Sequence, residues 1–358
     1  MVITYFMRRI SSYLFFTALL TLALAPSRLA ADLVWTPGTG WRIEGGALNA
    51  LGGEEGRNAL DLMNRARNEE ESGHNKAARK LYIEVSKKYP NSVYASEALY
   101  RAGLIYQKNE QYYKSFDSFQ QLVIRYPSSE KFIQVIGEQY RIASLLAEGK
   151  RSKIFGIIPG FKNREKALEY FEIIVRTAPY SDYAPLALMN AARGYKNIRE
   201  TEAAIDALDR MINTYPRSVL TPDAYLKIAQ THASLVDGPY YDQASTKEAV
   251  TYYEDYMILF PGDAGMASAE KGLDDMKIVL AKSKLTIADY YYKYRKNYKA
   301  ARVFYNEAIT VYPDSKVAAE ARTKLADVDA KLEQQAAAAA GQPAPQGKQA
   351  KKKRFWLF

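Results

Sequence analysis

Small and bulky apolar residues recur along the chain in a fixed order that ends in a proline. An aromatic or small residue followed by proline occurs six times, at intervals of 37 to 52 residues. Twelve residues before each proline lies a small residue, and eight residues before it lies a bulky one. The small residues are Ala78, Ser115, Ala167, Ala204, Ala249 and Ala301, and the bulky ones are Tyr82, Phe119, Phe171, Leu208, Tyr253 and Tyr305. On one helix face, a small residue lets a second helix approach and a bulky one fills the groove beside it. The pattern therefore predicts repeated antiparallel helix pairs, each ended by its proline.

The length of this repeat predicts the fold class. A period of about 34 residues is typical of the tetratricopeptide repeat, a helix–turn–helix unit, and the longer intervals fit the same unit with insertions. We predict an all-α protein, a tetratricopeptide-repeat α-α superhelix of about six helix pairs, over residues 56–333. In such arrays each unit buries its apolar face only against its neighbours.

Two segments depart from the plain repeat. Between Tyr140 and Ala167 the chain carries an apolar insertion, residues 155–161, which is bounded by turn-forming residues. This insertion is either a loop folded onto the array or a loop that docks a partner. Over residues 261–292 the apolar period predicts one long helix in place of the usual short connection.

The N-terminal segment has the layout of an export signal. Residues 1–31 combine Arg8 and Arg9 with an apolar run and a small-residue cleavage site that ends at Ala31. We expect a signal peptide here and a periplasmic protein after export. Residues 32–55 are rich in glycine and show no helical period, so we expect an extended strap that leads into the array.

The C-terminal segment combines a linker with a basic and aromatic end. Residues 334–358 begin with alanine, glutamine and proline, a composition typical of a flexible, disordered linker. The last eight residues place four cations beside four apolar side chains. Arg354, Phe355, Trp356 and Phe358 are candidate docking residues for an anionic membrane interface or for a partner's groove. Peripheral association with a membrane is therefore expected.

Charge and composition narrow the possible chemistry. The net charge is +10, but the lysines and arginines of the two terminal segments supply most of it, so no nucleic-acid-binding face is indicated. The chain has no cysteine and two histidines, which excludes disulfides, zinc fingers, iron–sulfur clusters and thiol nucleophiles. His232 takes the place of a tyrosine in the repeat and is interpreted as a packing residue, and His74 as a turn residue. No cofactor, metal or catalytic residue is expected.

The repeat junctions carry a family resemblance. An exported array with Tyr-Pro-x-Ser junctions resembles the BamD family, the outer-membrane assembly lipoproteins of the β-barrel assembly machinery. The likeness is clearest over residues 287–302 and the following Tyr-Pro-Asp-Ser at 312–315. Residues 164–181, after the insertion, also resemble a family segment, and the whole likeness covers residues 56–330. The chain departs from the family in having no lipid-bearing cysteine after its signal segment and one repeat more than the family's five.

The resemblance implies a non-catalytic scaffold at the inner face of the outer membrane. Its implied partners are the barrel-forming subunit of the assembly machinery and unfolded outer-membrane proteins, with no nucleic acid and no small-molecule substrate. A groove along the first helices of the repeats suits an extended or helical peptide. The predicted groove positions are Leu60, Met63 and Arg67 in the first repeat and Glu97, Tyr100, Leu104, Gln107 and Lys108 in the second.

Two other functions remain open at this point. The first is a periplasmic tetratricopeptide coordinator of the Tol-Pal system and cell-wall synthesis, although no heptad run typical of its N-terminal coiled coil precedes residue 56. The second is a cell-wall glycosidase, which needs a pair of carboxylates such as Glu54 with Glu55 or Asp274 with Asp275. Adjacent residues on a helix diverge by about 100°, so we interpret these acids as solvated surface residues.

Overall fold

The computed structural model describes residues 32–37, 39–44, 54–241 and 243–341. Over these ranges the protein is all-α apart from two short strand pairs, and it has the predicted tetratricopeptide-repeat fold. The described helices are α1 (Glu54–Glu71), α2 (Asn75–Lys88), α3 (Ala95–Lys108), α4 (Tyr112–Arg125), α5 (Phe132–Ala147), α6 (Arg164–Thr177), α7 (Tyr183–Asn197), α8 (Thr201–Thr214), α9 (Thr221–Ala233), α10 (Ala244–Leu259), α11 (Met266–Lys293), α12 (Tyr298–Val311) and α13 (Lys316–Gly341). No helix in this part of the chain is both long and apolar enough to cross a bilayer.

The chain divides within α7 into two compact units, Met1–Ala184 and Pro185–Phe358. Unit one contains α1 to α6 and both strand pairs. Strands β1 (Asp32–Thr36) and β2 (Gly40–Glu44) form an antiparallel hairpin, in which Trp35 lies opposite Trp41. Strands β3 (Lys153–Ile154) and β4 (Ile158–Pro159) pair within the predicted insertion.

The alternation of small and bulky residues packs the helix pairs as predicted. All twelve of these positions are buried, from Ala78 and Tyr82 in the first repeat to Ala301 and Tyr305 in the last. Between α3 and α4 a Cβ on Gly103 would lie 2.3 Å from the Phe119 ring, so only a glycine allows this approach. The Ser115 hydroxyl donates to the carbonyl of Gly103 over 2.8 Å and ties the two helices at the same point.

The prolines mark where the second helices end. Six helices end two residues before the proline of their repeat, and the residue between is the C-cap, such as Tyr89, Tyr126 and Phe260. A residue that precedes proline is disfavoured in helical conformation, and proline cannot donate the next helical hydrogen bond. The prolines thus determine where the chain reverses between repeats.

Unit two contains the rest of α7 and α8 to α13. The predicted long helix is confirmed as α11, which runs unbroken for 28 residues. Asp289 on this helix accepts a hydrogen bond of 2.6 Å from the buried Tyr305 hydroxyl of α12 and ion pairs with Lys324 of α13 at 2.9 Å. One carboxylate therefore connects three helices of this unit.

Two boundaries differ from the sequence expectation. The strap of residues 32–55 is a hairpin followed by the start of α1 at Glu54, because the alternating Leu33 and Trp35 side chains find an apolar surface to pack on. The linker expected from residue 334 is still α13 as far as Gly341, since a run of alanines has the highest helix propensity. The expected signal peptide, 1–31, and the tail residues Arg354, Phe355, Trp356 and Phe358 lie outside the described residues.

Candidate functional site

The predicted groove positions lie on the first helices of the repeats in unit one. On α1, Leu60, Asn64 and Arg67 follow one another at spacings of four and three residues, so they share one face. On α3, Glu97, Arg101 and Leu104 do the same. The environment of each side chain decides what these faces can bind.

The β1–β2 hairpin covers this face at the first repeat. The Trp41 backbone N–H donates to Asn64 Oδ1 over 2.8 Å, and the Trp41 side chain is only 4% exposed. The guanidinium of Arg67 lies 4.2 Å from the centre of the Trp35 ring, and that of Arg101 lies 5.4 Å from the Trp41 ring, both in cation–π geometry. The chain thus places its own segment where the first repeat was predicted to hold a peptide.

The three predicted residues of the first repeat are consequently engaged in contacts within the chain. Met63 is fully buried in the core, and Leu60 packs with the cluster that includes the hairpin tryptophans. Arg67 keeps only 18% of its side chain exposed and pairs with Glu70 at 3.2 Å and Glu71 at 3.1 Å. With the hairpin in this position, none of the three presents a free binding surface.

In the second repeat the predicted residues differ in exposure. Glu97, Tyr100 and Gln107 are buried, whereas Leu104 is half-buried and Lys108 is exposed. Glu97 accepts from Arg101 over 2.8 Å, and Gln107 donates to Glu138 of α5 over 2.9 Å. Gln107 therefore ties α3 to α5 and Glu97 pairs within α3, so Leu104 and Lys108 are the predicted residues left to meet a partner.

Charges along this face are paired within each helix. Glu138 also accepts from Arg141 over 2.7 Å, as Glu97 does from Arg101 one repeat earlier. Burial would lower the pKa of Arg101, but its ion pair with Glu97 outweighs that effect and the pKa is raised. The fixed positions of these ion pairs let the face select a partner whose charges are complementary.

A second surface of unit one was missed by the sequence analysis. A cleft of about 1000 Å³ lies between the start of α2, the start of α4 and the insertion, and no acidic residue lines it. Its cations are Lys76, Arg79, Lys80 and Lys114, and its apolar side chains are Phe155 and Ile157. The spacing of 76, 79 and 80 marks a basic helix face, but the three chain segments meet only in the fold.

The side chains in this cleft are organised around aromatic rings. Arg79 stacks over Tyr106 at 4.4 Å and donates to Gln111 over 3.2 Å. Lys114 lies 5.7 Å from the Phe155 ring. We name this site, defined by its four cations and the two apolar residues of the insertion, the basic cleft.

The residues considered for catalysis have structural environments. Asp274 accepts from the Tyr312 hydroxyl over 2.9 Å, and Glu54 and Glu55 lie in the first turn of α1. His232 stacks on Tyr252 at 5.5 Å, as expected of a packing residue, and the exposed His74 contacts Glu69 at 2.9 Å. Within the described ranges no three histidines, cysteines or acids come together as a metal site.

Comparison with known families gives two matches. The profile of the YfiO family, described as an outer membrane lipoprotein, matches residues 161–342, just over half of the chain. A tetratricopeptide-repeat profile matches residues 97–129, which span most of α3, all of α4 and the turn that follows. No curated protein matches the chain.

Solved structures that resemble the chain include several repeat proteins. A tetratricopeptide repeat protein from Parabacteroides merdae is 12% identical, with a TM-score of 0.31 over 74% of this chain and 98% of its own. The C-terminal part of a repeat protein from Cytophaga hutchinsonii is 20% identical, with a TM-score of 0.32 over 74% and 87%. Pseudomonas aeruginosa PilF is 11% identical, with a TM-score of 0.28 over 76% and 100%. Scores this low carry no weight for shape or function.

Proposed function

Because the chain belongs to the YfiO family of outer membrane lipoproteins, the BamD family, we propose that it is a non-catalytic scaffold of the outer-membrane β-barrel assembly machinery. In this role it works in the periplasm, at the inner face of the outer membrane. The observation that carries the proposal is the family match over residues 161–342, which covers most of unit two.

The family-matching unit is the proposed site for the barrel-forming subunit. Asp289 lies in the segment whose sequence most resembles the family. Its contacts with Tyr305 and Lys324 keep α11, α12 and α13 in one arrangement. A rigid helical surface favours a stable partner interface, because little conformational entropy is lost on binding.

Unfolded barrel proteins are the proposed ligands of unit one. The first-helix face offers Leu104 and Lys108 on α3 and the paired Arg141 on α5, an apolar contact flanked by cations. Such a face suits an extended segment that alternates apolar and polar residues. The hairpin limits this binding to the second and third repeats unless it moves away from α1.

Affinity capture tests the proposal. The tagged chain is recovered from detergent-solubilised envelopes, and its partners are identified by mass spectrometry. We expect the barrel-forming subunit at near-stoichiometric yield. Its absence, with Tol-Pal or cell-wall synthesis proteins recovered in its place, would overturn the assembly role in favour of the coordinator function.

A charge-reversal variant and a matched control test whether unfolded barrel proteins bind the first-helix face of unit one. Lys108→Glu reverses a charge on the first-helix face of unit one, and Lys87→Glu reverses one near the end of α2. We expect Lys108→Glu to weaken crosslinking to unfolded barrel proteins several-fold without reducing capture of the barrel-forming subunit. Equal crosslinking by both variants would contradict the proposed ligand site.

A further inference from the structure

The insertion in unit one exposes large apolar side chains to solvent. We call residues 150–164 the insert loop; its β3–β4 hairpin ends in a tip with Phe155 and Ile157. Phe155 is 77% exposed, Ile157 is 80% exposed and Phe161 is 90% exposed. Single exposed apolar residues are common on protein surfaces, but several on one loop indicate a surface that meets something apolar.

Hydrogen bonds and an ion pair anchor the base of this hairpin. The Lys153 backbone N–H donates to the Glu110 carbonyl over 2.7 Å, and the Lys153 side chain ion pairs with that residue's carboxylate at 3.1 Å. The Gly160 N–H donates to the carbonyl of the buried Ser152 over 3.0 Å. The loop is thus pinned to the turn before α4, and Phe155, Ile157 and Phe161 keep more than three quarters of their surface exposed.

Two successive residues with positive φ close the hairpin tip as in a type I′ turn, and the Ile157 N–H donates to the Ile154 carbonyl over 3.2 Å. Phe155 has φ of +55°, in the left-handed region that bulky residues rarely adopt, and Gly156 follows with φ of +79°. Positive φ at both central residues matches the twist of the two strands, so the turn itself accounts for this conformation. Phe155 lies in this turn with 77% of its surface exposed.

Positive charge surrounds this apolar tip. The insert loop contains five cations and no acidic residue. Behind it, the basic cleft adds its four cations, and Lys114 approaches the Phe155 ring at 5.7 Å. The surface therefore combines exposed apolar side chains with cations that attract anions.

We propose that the insert loop and the basic cleft together form a docking surface for an anionic phospholipid bilayer. The apolar tip enters the interface between headgroups and acyl chains, and the cations contact the lipid phosphates. A bilayer fits better than an acidic protein, because Phe155, Ile157 and Phe161 are each at least 77% exposed beside a cluster of cations, whereas a protein partner would need a matching pocket for each of them. This proposal does not depend on the assembly role.

The absence of cysteine from the sequence makes a direct test possible. A single cysteine in place of Ile157 carries an environment-sensitive fluorophore, and a cysteine in place of Val219, 93% exposed in unit two, carries the same label as the control. The protein is used with the same ends in every variant, and the vesicles are phosphatidylcholine alone or with phosphatidylglycerol at 30 mol%. We expect a blue-shifted, brighter emission from position 157 with the anionic vesicles only, and no change at position 219.

Two sets of substitutions test the two parts of the surface. In the labelled protein, Phe155→Ser with Phe161→Ser removes apolar area, and Lys76→Gln with Lys114→Gln removes charge from the cleft. Each pair should weaken vesicle binding at least tenfold, whereas Lys271→Gln on α11 should leave it unchanged. Added salt should weaken the wild-type response and have less effect on the charge variant.

Three results would overturn the proposal. The first is an unchanged emission at position 157 with anionic vesicles. The second is equal binding by wild type and both variant pairs. The third is a shift at position 157 with soluble poly-glutamate that matches or exceeds the shift with vesicles, which would assign the surface to an acidic protein. Capture of the barrel-forming subunit is independent of each of these results.

Discussion

Gly103 offers a quantitative test of how the repeats pack. In the Gly103→Ala variant one methyl group enters the contact between α3 and α4, where it would lie 2.3 Å from the ring of Phe119. That ring is fully buried and has no open space to move into. Overpacking costs about 1–3 kcal/mol, and a contact of 2.3 Å with a buried ring lies at the upper end of this range, about 2–3 kcal/mol. Alanine regains about 1 kcal/mol of helix propensity relative to glycine, so a net loss of about 1–2 kcal/mol is expected.

Gly56→Ala is the matched control for this variant. Gly56 also lies in a helix of unit one, but no atom comes within 4 Å of a Cβ placed there. The control should therefore gain about 0.4–1 kcal/mol, because alanine restricts the unfolded chain without a clash. The same substitution is thus expected to have opposite signs at the two positions.

Urea denaturation followed by circular dichroism measures both variants, and hydrogen exchange of the α3 and α4 amides localises the effect. Adding Phe119→Leu to Gly103→Ala should recover part of the loss, since the smaller side chain leaves room for the methyl group. The reasoning would be refuted if Gly103→Ala were as stable as the wild type, or if it gained stability like the control.

Other predictions follow from single contacts. Asp289→Asn should cost about 1.5–3 kcal/mol in urea denaturation, because the buried Tyr305 hydroxyl loses a charged acceptor. Burial raises the pKa of Asp289, but hydrogen bonds from Tyr305 and lysines outweigh it and the pKa is lowered, so the stability gap to the variant should be full above about pH 4 and shrink in more acidic solution. Trp41→Ala should cost about 3 kcal/mol and make residues 32–44 cleavable by protease, whereas an uncleaved segment would show that the hairpin does not need this anchor. Glu138→Ala should cost about 1–2 kcal/mol by leaving the buried Gln107 amide without its acceptor, which thermal denaturation would detect.

The helical repeat could be predicted because its determinants are local. The small and bulky positions, such as Ser115 and Phe119, lie on the same helix, and the prolines that end the helices are adjacent to their caps. The long α11 followed from one uninterrupted apolar period. In each case the residues that determine the helix or its end lie within a few helical turns of one another.

The features that the sequence analysis missed depend on contacts between distant residues. The hairpin is held by Asn64, Arg67 and Arg101, more than twenty residues away, so residues 32–44 alone indicated only an extended segment. Burial of Glu97 and Gln107 likewise depends on neighbouring helices, which the helical period of α3 does not reveal.

Direct binding between purified proteins tests the central proposal, that this chain is a scaffold of barrel assembly. The full chain is titrated calorimetrically with the periplasmic region of the barrel-forming subunit from the same organism. We predict a complex of one copy of each, with a dissociation constant on the order of 1 μM or tighter, and a weakened complex for substitutions on the exposed face of α11 to α13. No heat of binding at concentrations on the order of 100 μM would contradict the account.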